Sequence, residues 1–427
     1  MKKHSSRIPL PLTGLTLALL AAFPAAQAQS QAQPQPQAQT QPEAQTSVPV
    51  LSTVTVTASD LSPLATVMSD PKAADTAQLT SSGADYLTSI PGFSAIRSGG
   101  TNGDPVLRGM FGSRLNILTD GTNMIGACPG RMDNPSTYVA PENFDAVTVI
   151  KGPETVIWGP GASAGTIKFD RDTPRFTAPG LRFDGNVGGG SFGRNDETVD
   201  LTAGNDKFYA RITANHTHSG DYKDGSGHAI ASGWDKRNAD VSLGFTPDAD
   251  TLFEVTAGGG NGYAKYAGRG MDATKLTHQN LSARFVKSHL GGPLDKVEAQ
   301  LYYNSADMVM DNFTFRPLSS SSSGGMGGMG SGGMGGMGGM GGMGSMGMAM
   351  AAADNRTTTG GRLAATWKLG QTFDLVTGVD AQASRHRDRS GSNTDSYTTY
   401  PWVGDATLGN TGLFAEGTWH ATQRDRV

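Results

Sequence analysis

The sequence predicts an outer-membrane antiparallel β-barrel preceded by a compact α/β domain, and three observations predict it. The chain opens with an export signal. From about residue 180 onward, segments of roughly ten residues alternate in hydrophobicity. Between those segments, short turns alternate with long polar loops, the pattern of short periplasmic turns and longer outer loops in transmembrane barrels.

The export signal occupies residues 1–28. Lys2, Lys3 and Arg7 form a positive start, an apolar run extends from Leu10 to Ala26, and Ala26-Gln27-Ala28 is an A-x-A cleavage pattern. Cleavage is expected after about Ala28. An uncleaved anchor is disfavoured, because the run is short and carries Pro11 and Pro24. The expected address is the outer membrane of a Gram-negative bacterium. Beyond the signal no apolar run approaches the ~20 residues of a spanning helix. A net charge of −4 gives no electrostatic reason to expect nucleic acid. The single cysteine, Cys128, has no partner for an internal disulfide, so it is a free thiol in an oxidising compartment. Solvent-reachable and without metal, it would be prone to oxidation.

Residues 29–49 form a Gln/Ala/Pro linker without the apolar side chains that ordering requires. Residues 50–59 include the alternating, β-prone stretch "LSTVTVTAS". It reads either as an ordinary edge strand or as a peptide that adds itself to a partner's sheet edge. Residues 60–176 read as the α/β domain. "GADYLTSIPGFSAI" predicts a short helix ended by Pro91-Gly92. "DPVLRGM", "RLNILTDGT" and "FDAVTVIKG" predict short strands, and "WGPGASAGTIKF" a tight turn entering another.

Residues 177–427 read as the first part of the barrel. Phe208, Ala210, Ile212 and Ala214 alternate with polar residues, as do Val241, Leu243 and Phe245, and Leu363, Ala365, Trp367 and Leu369. Tight turns are expected at Asn205-Asp206, Pro247–Asp250, Gly291–Asp295, Leu369–Thr372 and Thr422–Asp425. Long loops are expected at 217–233, 258–277, 305–357 and 386–408, with a Met/Gly-rich outer segment at 319–353. "GGGSFG" at 188–193 reads as a short hairpin loop. This gives about ten strands. Plugged transporters need about 22 to surround a globular insert, and an open sheet would leave raw edges in lipid. The sequence is therefore expected to be the N-terminal part of a longer protein.

Signal, leash, "TVTVTAS", globular domain and barrel strands, in that order, resemble the TonB-dependent outer-membrane receptors. "PVLRGM", "LNILTDGT" and "FDAVTVIKGPETVIWGPGASAGTIKF" look like that family's plug motifs. The resemblance implies a 22-stranded barrel with the α/β domain as a plug inside its lumen. It implies that Thr53, Val54, Thr55, Val56, Thr57 and Ala58 form a TonB box. That box would pair with TonB, the periplasmic protein that brings energy from the inner-membrane proton-motive force. "ACPGRMDNPSTYV" further resembles the copper-receptor subgroup. There a Cys-x-x-x-Met pair on the plug faces a His-x-Met pair on a barrel strand. The resemblance assigns metal ligation to Cys128, Met132, Met308 and Met310, with Met308 standing where histidine is usual.

The chemistry of these residues supports the assignment independently. Thiolate and thioether are soft donors that select Cu(I), and exchanging imidazole for thioether strengthens that preference over Cu(II). Pro129-Gly130 favours a tight turn, with Gly130 accepting positive φ, that folds Met132 back beside Cys128. Met308 and Met310 share one strand face. In "VEAQLYYN" the polar residues Glu298, Gln300, Tyr302 and Asn304 are even-numbered, so even-numbered Met308 and Met310 should face the lumen unless a bulge intervenes.

Residues 324–350 hold nine of the seventeen methionines. The run is either a slippage-expanded repeat or a thioether net in which Met326, Met329, Met334, Met337, Met340, Met343 and Met346 capture copper; exposed methionine is apolar and oxidisable, which favours capture. His216, His218 and His386 lie near outer loops, where they either assist Cu(II) or are merely solvated. No nucleophile elbow, paired-carboxylate pattern or phosphate loop suggests an enzyme. The favoured reading is a TonB-dependent copper importer. The alternatives are a siderophore or metallophore receptor and a surface copper scavenger without transport.

Overall fold

The computed structural model describes residues 66–73, 82–159, 162–316, 349–391 and 396–420. The expected signal peptide, linker and TonB box, methionines 326–346 and the turn at 422–425 lie outside the described residues.

The plug is built from β1 (Thr66–Ser69), α1 (Gly83–Leu87), β2 (Phe93–Ser98), β3 (Asn102–Leu107), β4 (Leu115–Thr119), β5 (Thr122–Asn123), β6 (Ala146–Lys151) and β7 (Gly165–Asp170). Five of the strands form a mixed sheet in the order β1-β6-β7-β4-β5, in which only β4 and β7 run parallel. β2 and β3 form a separate hairpin. The alternation of "AVTVIK" buries Val147 and Val149 against Leu87, Leu107, Ile117, Ile167 and Phe169. Each such side chain contributes about 1.5–3 kcal/mol by leaving water. Helix α1 is as short as Pro91-Gly92 predicts, and Gly92 turns the chain at φ +96°.

The barrel part consists of β8 (Gly180–Gly190), β9 (Arg194–Gly204), β10 (Phe208–Ser219), β11 (Tyr222–Lys223), β12 (Ala229–Ile230), β13 (Trp234–Phe245), β14 (Thr251–Ala264), β15 (Asp272–Ser288), β16 (Leu294–Asp311), β17 (Ala351–Lys368), β18 (Phe373–Gly391) and β19 (Val403–Trp419). The small β11–β12 ribbon and helix α2 (Ser396–Thr399) sit in connections. The other ten strands form one antiparallel meander, each hydrogen-bonded to its neighbour in sequence. Among the described residues, no helix is long and apolar enough to cross a membrane.

Sidedness follows the sequence pattern. Phe208, Ile212, Val241, Leu243 and Leu363 are exposed on the outer face, while Arg211, Thr213 and Ser242 are buried on the inner one. Hydrophobic-out and polar-in is the arrangement a lipid-facing barrel needs. The tight turns fall between β9 and β10, β13 and β14, β15 and β16, and β17 and β18, as expected. Asn205 closes the first by accepting from the Lys207 and Phe208 amides at 2.9 and 2.8 Å. The 188–193 hairpin turns over Ser191–Gly193.

The outer ends differ from expectation. Most of 258–277, together with 305–311 and 351–357, is strand, so the connection from β14 to β15 shrinks to residues 265–271 and β17 begins inside the 319–353 span expected as loop. The polarity that suggested loops there belongs to lumen-facing wall. Gly258 and Gly260 are needed in that wall. A Cβ at these positions would meet Asp240 Oδ1 at 1.9 Å and Asn238 Oδ1 at 2.1 Å.

The plug is tied to the wall by buried ions. Lys72 reaches Asp145 of the plug and Asp200 of β9, both at 2.6 Å. Arg211 of β10 binds the same two carboxylates. Arg171 joins Asp120 at 2.8 Å to Asp240 of β13 at 2.7 Å. Gln300 and Asn304 of β16 donate to the carbonyls of Asp120 and Asn123, each at 2.7 Å.

Candidate metal centre

The segment "ACPGRM" leaves β5 and makes a tight turn, in which the Arg131 amide donates to the Cys128 carbonyl at 3.0 Å. The turn is where Pro129-Gly130 predicts it, but the left-handed residue is Arg131, at φ +57°, and not Gly130. That conformation costs a non-glycine residue about 1–2 kcal/mol. It is held by a bidentate ion pair from Arg131 to Asp104, at 2.6 and 2.7 Å.

Asp133 organises the segment. Wholly buried, it accepts from the Ala127 amide at 2.7 Å, the Cys128 amide at 2.8 Å and the Tyr138 hydroxyl at 2.7 Å. Gly126 permits this closeness, since a Cβ there would fall 1.8 Å from the Asp133 carbonyl oxygen. Met132 is anchored by its carbonyl, which accepts from Asn102 at 2.8 Å and from Tyr266 at 3.0 Å. Tyr266 follows β14 and is itself fully buried, so a barrel connection grips the plug loop directly.

On the wall, Met308 and Met310 are buried at 0% and 4% exposure. No bulge interrupts β16 between Lys296 and Asp311, so the even-numbered face stays lumenal and the parity argument holds. The irregularity lies instead in β15, between Ala273 and Lys275. Met308 and Met310 pack in one cluster with Ala127, Tyr138, Trp234, Tyr266 and Leu276, and Cys128 and Met132 pack against the same cluster. The structure thus brings together all four sulfur residues that the sequence singled out. The small side chains of Ala264, Ala273 and Ala306 make room for them.

Two further sulfurs, missed from the sequence, join this cluster: Met124, just after β5, and Met271, just before β15. Neither stands in a recognisable motif. The only signal was that both flank segments already singled out. Asp133, Asn102 and Tyr266 were missed as well, because their role depends on contacts distant in sequence. Among the described residues no three of His, Cys, Asp and Glu converge as metal ligands, so a metal held here needs thioether sulfur.

Burial pushes the Cys128 thiol up to about 11, and the carboxylates of Asp133 and Asp354 add to the shift. Without metal, Cys128 is therefore a thiol at neutral pH, and a metal has to displace its proton. The reactive species is the thiolate, so this shift slows the oxidation expected of a solvent-reachable, metal-free Cys128. Asp133 is itself raised to about 6 by burial, against its three hydrogen bonds, and stays largely ionised at neutral pH. Burial also raises Tyr138 and Tyr266 well above the usual phenol range, so both remain donors.

The histidines separate. His216 and His218 lie half-exposed around a shared partner, Asp235, at 3.2 and 3.3 Å. His386 is not solvated but 3% exposed. Next to the sulfur cluster, and sharing Met124 and Tyr138 with it, lies a polar cavity of about 40 Å³ lined also by Asp120, Arg171, His278 and Asn304.

Comparison with known proteins agrees with this architecture. The family model of the TonB-dependent receptor plug domain matches residues 62–166. That plug, followed by an antiparallel meander with its apolar residues on the outer face, is the arrangement of TonB-dependent receptors, and the chain carries that family's plug domain. Among solved structures, the copper transporter OprC is 50% identical, with a TM-score of 0.75, over 85% of this chain and 53% of that one. The FrpB iron transporter from Neisseria meningitidis shares the fold, with a TM-score of 0.60 at 14% identity, over 83% of this chain and 57% of that one. A hemin receptor of Yersinia pestis is 33% identical over 98 residues, which is 23% of this chain and 14% of the receptor. The chain thus spans about half the length of the solved structures it matches.

Proposed function

We propose that this chain is part of a TonB-dependent outer-membrane importer of copper. Copper is bound between plug and wall by Cys128, Met132, Met308 and Met310 and moved to the periplasm when TonB acts on the plug. The observation that carries the reading is the packing of these four sulfur side chains, two from each side, in one buried cluster. Similarity to a copper transporter at 50% identity supports it.

Three thioethers and one thiolate favour Cu(I) over Cu(II). Cys128 contributes the one negative charge, and metal uptake releases its proton to water. Asp133 and Tyr266 hold the loop so that Cys128 and Met132 face the wall. In this reading Thr53–Ala58 bind TonB, and Met326, Met329, Met334, Met337, Met340, Met343 and Met346 collect copper outside and deliver it to the cluster.

The test is metal analysis of the purified full-length protein, comparing wild type, Cys128→Ser and a deletion of 324–350. Copper retained by wild type and lost by Cys128→Ser is the expected result. Equal copper in all three would remove the assignment. Loss of copper accumulation by cells on deleting 51–59 separates import from scavenging at the surface.

A further inference from the structure

We propose that His386 and Asp354 form a second metal station, built from nitrogen and oxygen, for a borderline divalent cation such as Cu2+ or Zn2+. His386 lies on β18 and is 3% exposed. Its Nδ1 meets Asp405 Oδ2 at 2.9 Å, while its Nε2 is buried and has no hydrogen-bond partner among the described residues. A carboxylate on Nδ1 sets the proton there and leaves the Nε2 lone pair free, which is the usual preparation of a metal-binding imidazole.

That lone pair faces Asp354 Oδ1 of β17 at 3.7 Å. The separation is too long for a hydrogen bond. It suits a bridging cation: with both bonds near 2.0–2.2 Å, a ligand–metal–ligand angle of about 130° spans it. The surrounding charge is favourable. Asp388 lies opposite Asp354 in the ladder and Asp405 is close enough to act on it, so two further carboxylates add negative charge at Asp354, with the Arg356 guanidinium opposing them.

The station adjoins the sulfur cluster. Asp354 is the cross-strand partner of Met308, and its charge reaches Cys128. Asp405, His386, Asp354 and Met308 lie on the adjacent strands β19, β18, β17 and β16, in a line that ends at the cluster. Two protein donors leave a coordination sphere completed by water, which makes binding weak and exchange easy. Imidazole and carboxylate suit borderline divalent cations, whereas the cluster suits Cu(I). The role as an approach step rests on the proposed reading of the cluster; the binding itself does not.

The test uses the full-length protein carrying Cys128→Ser, which removes the thiolate. Cu2+ is added and nitrogen coupling is read by electron paramagnetic resonance; Zn2+ affinity is read by calorimetry. The expected result is a Cu2+ signal with imidazole coupling that His386→Gln abolishes. Zn2+ binding should weaken about 10–100-fold in Asp405→Asn, which keeps the size of the side chain and removes only its charge. Asp354→Asn should weaken it at least as much. An unchanged Cu2+ signal in His386→Gln, or Zn2+ affinity within twofold of the parent in both aspartate variants, overturns the station. Cu(I) retention by the Cys128-containing protein is measured separately, so failure of the cluster reading and failure of the station give different results.

Discussion

Asp133→Ala isolates the device that shapes the plug half of the cluster. The substitution leaves the Ala127 and Cys128 amides and the Tyr138 hydroxyl buried without their acceptor. At about 1–3 kcal/mol per stranded group, the gross loss is about 5 kcal/mol. It also removes a carboxylate that burial holds at about 6 rather than 3.8, a shift of about two units that returns about 3 kcal/mol. The net cost is about 2 kcal/mol of loop order, or copper binding about thirtyfold weaker if the ordered loop is the one that binds. The assay is anaerobic competition for Cu(I) against a chromophoric chelator on the full-length protein, with heat-dependent gel mobility to show that the barrel is intact. Tyr138→Phe, which leaves both amides bonded, should weaken binding only a few-fold. Copper affinity of Asp133→Ala within threefold of wild type would refute the view that this carboxylate positions Cys128.

Four other outcomes are expected. In metal-free protein, Cys128 should alkylate slowly: with its thiol near 11, only about one molecule in a thousand is thiolate at pH 8, and the iodoacetamide rate should climb about tenfold per pH unit above that. Met308→His should shift selectivity from Cu(I) toward Cu2+ and Zn2+, read as metal content after exposure to equimolar mixtures, because imidazole tolerates borderline cations. For the plug seat, burial opposes ionisation of Asp145, but Arg211 and Lys72 outweigh it and hold the carboxyl at about 2. This depressed value contributes about 2 kcal/mol that is fully present above pH 3.8 and is lost as pH falls toward 2, so protease sensitivity of the plug should rise in that window. Arg211→Ala leaves the carboxylates Asp145 and Asp200 sharing Lys72 alone and should loosen the plug at neutral pH, by less than the about 3–5 kcal/mol of a fully unpaired buried charge, read by the same protease assay.

Local pattern determined a good deal of this protein. Period-two alternation showed which side chains face lipid, because a strand's side-chain direction depends only on residue number within an uninterrupted run. Hence Met308 and Met310 could be placed in the lumen from Gln300 and Asn304, and β16 proves free of bulges between them. The plug elements were legible from their turn residues, and Cys128 and Met132 from their spacing and their resemblance to a subgroup motif.

The tertiary structure alone decided what meets what. The bulge in β15, the left-handed Arg131, the reach of Asp133 back to Cys128 and the grip of Tyr266 on Met132 have no sequence signature. The same holds for Met124 and Met271 in the cluster, and for His386, which its loop-side position suggested was solvated but which the wall buries. Periodicity encodes the direction of a side chain relative to its own backbone. Convergence also requires the register between strands and the seating of the plug, and those are set by packing and ion pairs summed over residues far apart in the chain.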